Sequence, residues 1–324
     1  MQVKFEPYPL RFFPILKERI WGGTLLKDFL NKSVTSSATG ESWEISAVEG
    51  DVSLATNGVY QDLSLTEIIA RFPEQLLGTD VYKRFGANFP LLFKFIDARE
   101  DLSIQVHPND ELAMQRHDTF GKTEMWYVLK ADPGARLIIG FKEKSSREDY
   151  LKHLEKKELP QILKSYYPNP GDVFYLETGT VHAIGAGILV AEIQQSSDVT
   201  YRVYDWDRVD SDGKSRELHT ELALDAINYD VVDPVRKFST DKNALNPIVD
   251  SPYFTTSLIP LDGHVQFLND GRTFRVLMCV DGGCEVRFNS NSERLQMGET
   301  LLVPAALEQY QLTGKASLLE IRIA

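Results

Sequence analysis

Residues 170–184 read PGDVFYLETGTVHAI. A turn pair, Pro170-Gly171, opens the stretch. DVFYLE follows, a short aromatic and apolar run of the kind that forms strands. A second turn follows, and then His182. Similar runs recur along the chain: LLFKFIDA (91–98), MWYVLKA (125–131), ARLIIGF (135–141) and GILVAEIQ (187–194). Helical patches are fewer. SLTEIIARFPEQLLG (64–78) has Ser64 or Thr66 as N-cap, SSREDYLKHLEKKELPQILKSY (145–166) is amphipathic and charged, and RELHTELALDAI (216–227) is a third. The chain reads as mainly β with a few attached helices.

The opening stretch also has a partner further on. It aligns with MGETLLVPAALEQYQ (297–311) at an offset of 127 residues, so that Gly171 falls on Gly298 and Leu176 on Val303. GKTEMWYVLKADPGARL (121–137) aligns with DGRTFRVLMCVDGGCEV (270–286) at an offset of 149. The offsets differ by 22 residues, about the length of the charged helical patch. The first copy therefore carries an insertion. In the second copy His182 falls on Gln309, Glu124 on Thr273 and Lys122 on Gly271. Chemistry is expected in the first copy and a retained fold in the second.

The 324 residues suffice for two modest domains, and 43% of them are hydrophobic. A net charge of −12 argues against nucleic acid or an anionic membrane surface as partner. An anionic ligand would need cations gathered locally. No apolar run is long enough to cross a membrane, and the opening segment lacks a signal-peptide layout. The two cysteines, Cys279 and Cys284, flank CVDGGC and are expected to face each other across a hairpin as free thiols. The expected location is the cytoplasm.

Side chains two apart on a strand share a face. SIQVHPND (103–110) thus puts Gln105 and His107 together, and GKTEMWYVL puts Lys122, Glu124 and Trp126 together. His182 comes from a third segment. Two imidazoles and a carboxylate suit zinc, manganese or ferrous iron, and the Gln105 amide oxygen can be a fourth, uncharged ligand. Each signal alone has an ordinary reading: a packed or capping histidine, a solvated edge glutamate. Arg202 has one as well, a salt bridge to Asp198, Asp205 or Asp207. YDWDRVDSDGK (204–214) reads as a charged loop near the site mouth.

PGDVFYLETGTVHAI resembles the second motif of the cupins, small jelly-roll β-barrels with a metal in the mouth. PLLFKFIDAREDLSIQVHPND, GKTEMWYVL and GTVHAIGAGILVAEIQQSSDVTYRVYDWDR, in that order, resemble the short bacterial form of type I mannose-6-phosphate isomerases. GESWEIS (40–46) and RELHTELALDAI look like that family too, so the likeness covers most of residues 1–230. It implies two cupin-like β-domains with attached helices: a catalytic one over 1–235 and a degenerate one over 236–324. The second is expected to be structural, shielding the first barrel's sheet face or positioning its mouth loops. It also implies an aldose–ketose isomerase of carbohydrate metabolism with one zinc ion per chain. The substrates would be the sugar phosphates D-mannose 6-phosphate and D-fructose 6-phosphate, interconverted through an enediol(ate).

Carried over by motif, Gln105, His107, Glu124 and His182 match the metal ligands and Arg202 the essential arginine. Lys94 and Lys122 match active-site lysines, and Glu192 the proton-transfer base. The interval from His182 to Arg202 is one residue longer than in the family's long form, and Gln194 shares a strand face with Glu192. Two other functions use part of this inventory. An iron-dependent cupin oxygenase has the same His and carboxylate set but no need of Lys122 and Arg202. A sugar-phosphate-binding protein without turnover has no need of Glu192.

Overall fold

The computed structural model describes residues 4–209 and 212–323. Part of the loop expected over 204–214, at residues 210 and 211, lies outside the described residues, as do residues 1–3 of the opening segment. Strands dominate. A seven-stranded antiparallel sheet runs in the order Ile15–Gly23, Thr39–Ile45, Leu91–Ala98, Ile188–Gln195, Glu124–Ala131, Val173–Leu176 and Val235–Arg236. A five-stranded sheet faces it: Tyr201–Tyr204, Ile104–Val106, His182–Ile184, Leu137–Phe141 and Leu163–Tyr166. The two close into the first barrel. A further sheet, built on Thr255–Leu268, Gln309–Arg322 and Arg275–Phe288, forms the second.

Leu91–Ala98, Ile188–Gln195 and Glu124–Ala131 are buried over most of their length because both faces of this part of the sheet are covered. Phe93, Phe95, Met125, Ala191 and Ile193 point away from the first barrel's lumen. They join one apolar core with Phe254, Val276, Met278 and Ile321 of the second barrel and Ile68, Ile69 and Leu77 of the intervening helices. The alternate residues face the lumen and change character along it. Ala98, Val128, Ile188 and Val190 pack at one end, and Lys94, Glu124, Glu192 and Gln194 are buried at the other. Strand alternation is thus kept, with the polar set turned inward. The second barrel's lumen is filled by apolar side chains, among them Leu277, Leu301 and Leu318.

Several expectations are corrected. The patch at 64–78 is two helices, Leu65–Arg71 and Pro73–Leu77, because Pro73 cannot continue the first. Ser64 caps the first in a capping box with Glu67. Helices at Thr79–Phe85 and Asp110–His117 were not anticipated, although Asn109 caps the latter. The charged patch ends as a strand, Leu163–Tyr166, and the last helix begins only at Thr220. Cys279 and Cys284 do not face across a hairpin. Both lie on the single strand Arg275–Phe288, bent by a bulge between Cys279 and Asp281, and both are free and buried.

The repeat is real as topology, with a register two residues from that expected. Leu176 pairs with Glu124, and its counterpart Val303 pairs with Arg275. Glu124 therefore corresponds to Arg275 rather than Thr273, a shift that preserves the face. Gly78, at φ +94°, joins the two central helices against the second barrel, where a Cβ would stand 2.4 Å from the Arg272 carbonyl. Among the described residues no helix is long and apolar enough to cross a membrane.

Candidate metal centre

The two sheets of the first barrel each bring part of a site to its polar end. On the five-stranded side His182 pairs with Gln105, and Gln105 with Arg202. His107 follows directly after that strand, ahead of Pro108. On the seven-stranded side Glu124 pairs with Gln194, and Glu192 with both Trp126 and Lys94. Directly opposed residues share a face, so the register alone aims these groups into the lumen.

Candidate ligand atoms of His107, Glu124 and His182 all lie within 4.8 Å of one another, and all three residues are buried. Among the described residues this is the one such group of His, Cys, Asp or Glu side chains. Each imidazole Nδ1 meets a backbone carbonyl, His107 at Val199 (2.9 Å) and His182 at Thr180 (2.8 Å). Each Nδ1 must therefore donate, and each Nε2 turns its lone pair to the centre, where it meets Lys122 Nζ at His107 (3.1 Å) and the Gln105 amide at His182 (3.2 Å). Burial, with Lys122 adding repulsion at His107, lowers the pKa of His107 well below the usual value; burial also brings His182 down to about 4. Both are neutral, as ligands must be.

Glu124 Oε1 stands 3.3 Å from His182 Nε2, and Oε2 stands 3.6 Å from His107 Nε2 and 3.1 Å from Lys122 Nζ. Neither oxygen makes a well-formed hydrogen bond. Burial pushes this carboxyl up to about 7 despite the Lys122 charge. Lys122 is the one cation against this buried carboxylate, on its Oε2 side, and a divalent metal fits the set of one carboxylate and two neutral imidazoles. The Gln105 amide stands 3.2 Å from His182 Nε2. Turning it about its last torsion exchanges nitrogen for oxygen.

A second cluster adjoins it. Lys94 Nζ is 3.1 Å from Glu192 Oε1 and donates to Gln194 Oε1 at 2.6 Å. Trp126 Nε1 donates to Glu192 Oε2 at 2.8 Å, and its ring meets the edge of His182. Burial alone would raise the pKa of Glu192; Lys94, Lys122 and the indole N–H outweigh it and hold it at about 2. The Gln194 amide donates to the carbonyls of Gln195 and Ser197, which fixes its oxygen toward Lys94.

A cleft of about 390 Å³ opens beside these groups, lined by Lys94, Gln105, Lys122, Trp126, Glu192 and Arg202. The ordinary reading of Arg202 fails: Asp198 lines the same cleft, but among the described residues no ion pair joins Arg202 to it or to another carboxylate. Asp205 is taken by Arg208 and Arg216, and Asp207 by Lys157. Arg202 Nη1 donates to the Glu217 carbonyl, while its Nε is buried without a partner. Burial and nearby Arg216 lower its pKa, and it stays charged.

Every residue singled out from the sequence thus reaches one end of one barrel. Sequence reasoning missed other lining groups, among them Lys17, Arg19, Glu41 and Trp43. Each pair is two apart on a strand, the same signal that exposed Gln105 and His107. Lys17 is paired with Asp51 and Arg19 with Glu41, so neither is as free as Arg202.

The chain matches the family model for the catalytic domain of phosphomannose isomerase type I over residues 10–129, and the mannose-6-phosphate isomerase cupin domain over 245–323. The mannose-6-phosphate isomerase ManA of Bacillus subtilis is 36% identical over 95% of this chain and 96% of its own length. A mannose-6-phosphate isomerase of Streptococcus mutans is 34% identical over 96% and 97%. The crystal structure of the mannose 6-phosphate isomerase from Bacillus subtilis superposes with a TM-score of 0.89 at 32% identity, over 97% of this chain and 99% of that one.

Proposed function

Since the chain belongs to the metal-dependent type I mannose-6-phosphate isomerases, we propose that its first barrel interconverts D-mannose 6-phosphate and D-fructose 6-phosphate through an enediol(ate), with the residues just described in defined roles. The observation that carries this reading is the Glu124 carboxylate. It is buried between two neutral imidazoles with only Lys122 against it, and it adjoins a cleft lined by six cationic side chains in an acidic chain.

His107, Glu124 and His182 would hold one zinc ion, with Gln105 as a fourth, neutral donor. When bound, the ion supplies Lewis-acid stabilisation of charge on the sugar oxygens. The rest falls to the chain. Moving the carbonyl between C1 and C2 requires a base that takes the C2 proton and returns it to C1. Glu192 is ionised and fixed by Trp126 on one oxygen and Lys94 on the other. Held that low it is a weak base, and transfer of the Lys94 charge onto an incoming anionic group raises it into a useful range. Gln194 presents Lys94 to the cleft and carries no proton itself. Arg202 offers an unpaired guanidinium edge to the phosphate or to the oxygens of the enediolate. Lys122, between His107 and Glu124, serves substrate binding and proton transfer.

In the same proposal residues 1–235 form the catalytic unit and 236–324 a supporting barrel. The free, buried thiols of the latter suit the cytoplasm. The test is turnover of mannose 6-phosphate to fructose 6-phosphate by protein of measured metal content, before and after chelation. Loss on chelation and recovery with zinc is the expected result. A folded, zinc-loaded protein without turnover overturns the assignment.

A further inference from the structure

The second barrel repeats the plan of the first at its mouth with residues of another kind. Strand pairing fixes the correspondence. Glu192 meets Trp126 and Lys94 as Glu320 meets Leu277 and Ser257. Gln194 meets Leu92 as Arg322 meets Thr255. His182 meets Gln105 as Gln309 meets Leu268. Arg275 therefore stands in the place of Glu124, Arg322 in that of Gln194, and Asp270, two beyond Leu268, in that of His107.

These replacements line a cavity of about 340 Å³, joined by Arg84 from the helix Thr79–Phe85 and by Arg272. Four guanidiniums meet here in a chain of net charge −12. Two are already matched: Arg275 closes onto Glu320, and Arg272 Nε lies 2.7 Å from Asp270. Arg84 Nη2 donates only to the Pro252 carbonyl, and Arg322 Nε only to Thr255 Oγ1 at 3.3 Å. Among the described residues neither has a carboxylate partner. Asp80 and Asp250, the remaining acids of the lining, set the opposing charge.

We infer that this pocket is a second ligand site, which takes a small phosphate monoester on Arg84 and Arg322. A metal is excluded from it, since an arginine holds the position of the carboxylate ligand. Two planar forks lining one cavity suit a tetrahedral dianion, which accepts several charge-assisted hydrogen bonds at once. The inference rests on Arg322 of the second barrel and Arg84 of the helix beside it, and stands apart from the catalytic assignment.

The probe is inorganic phosphate, titrated calorimetrically into the full-length, metal-loaded enzyme. Arg322→Gln and Arg84→Gln are each expected to weaken one class of sites by roughly tenfold or more, with mannose 6-phosphate turnover unchanged. Arg287→Gln, which removes the same charge from an exposed pair elsewhere on this barrel, is expected to leave the isotherm intact. Superimposable isotherms for wild type and both pocket variants overturn the proposal. So does loss of all phosphate binding on Arg202→Ala alone, which would place the single site in the catalytic cleft.

Discussion

Two glutamates on corresponding strands meet opposite fates. In the first barrel Glu192 shares the mouth with Glu124, two carboxylates beside two lysines and a pair of imidazoles. In the second, Glu320 faces Arg275 at the place of Glu124 and is closed by it. One mouth is left electrostatically incomplete until a cation and a substrate arrive. The other completes its deepest charge internally. The lumens beneath follow suit: one changes from apolar to charged along its length, the other is filled by Leu277, Leu301 and Leu318. A duplicated fold can keep its strand pairing while Arg275, Gln309 and Asp270, in the places of Glu124, His182 and His107, leave one copy without the candidate ligand set.

The harshest way to break this comparison is to remove one half. Truncation after residue 236 uncovers the core that Phe93, Phe95 and Ile193 share with Val276 and Ile321. The expected product is insoluble; a soluble, fully active fragment would show the second barrel to be dispensable. Next, Glu124→Gln keeps the shape and removes the ligand charge. Bound metal should drop below one per chain and kcat/KM should fall about 10³-fold, read by metal analysis and the isomerase assay. Glu192→Gln should retain the metal and still lose about 10²-fold or more in kcat, which separates the base from the ligand set.

The mirror experiment is Arg275→Leu. It strands a buried Glu320 and should cost about 3 kcal/mol in denaturant unfolding with the metal site intact, while the double change with Glu320→Leu should recover most of that loss. The smallest effect sharpens the contrast by pH. The Glu124 carboxyl of metal-free protein sits at about 7, above its unfolded value of 4.5. Its contribution to stability is present below pH 4.5 and lost as the pH rises through 7. Metal-free protein should therefore lose melting temperature over that interval relative to metal-loaded protein. Parallel profiles would mean that Glu124 is not the charge the metal satisfies.

Much of this was legible in the chain because strands write their facing in every second residue. The runs at 91–98 and 187–194 needed almost no adjustment, and Gln105, His107, Glu124 and His182 converge as their spacing implied. What was not legible depends on partners far away in sequence. Trp126 reads as core until Glu192 is placed opposite it. Arg202 could have belonged to any of three aspartates until Asp205 proved to be occupied twice. The cysteines looked like the ends of a hairpin because Gly282 and Gly283 mark a turn in most contexts. Here they help a long strand bend as it passes from one side of the barrel to the other.

The wall between the two barrels has a further consequence for variation. In Leu91–Ala98 and Ile188–Gln195, and in Glu124–Ala131 as far as the bulge after Val128, the even-numbered residues face the lumen and odd-numbered ones such as Phe93, Met125 and Ile193 face the shared core; beyond the bulge Ala131 pairs with Ile188 and turns to the lumen side. Substitution libraries on these strands therefore divide by parity: even positions answer to charge and reactivity, odd positions to volume. A single inserted or deleted residue exchanges the two sets at once. Point changes can re-tune this wall; the extra residue that it does absorb, in the bulge opposite Leu189 and Val190, lies at the apolar end, away from the polar set.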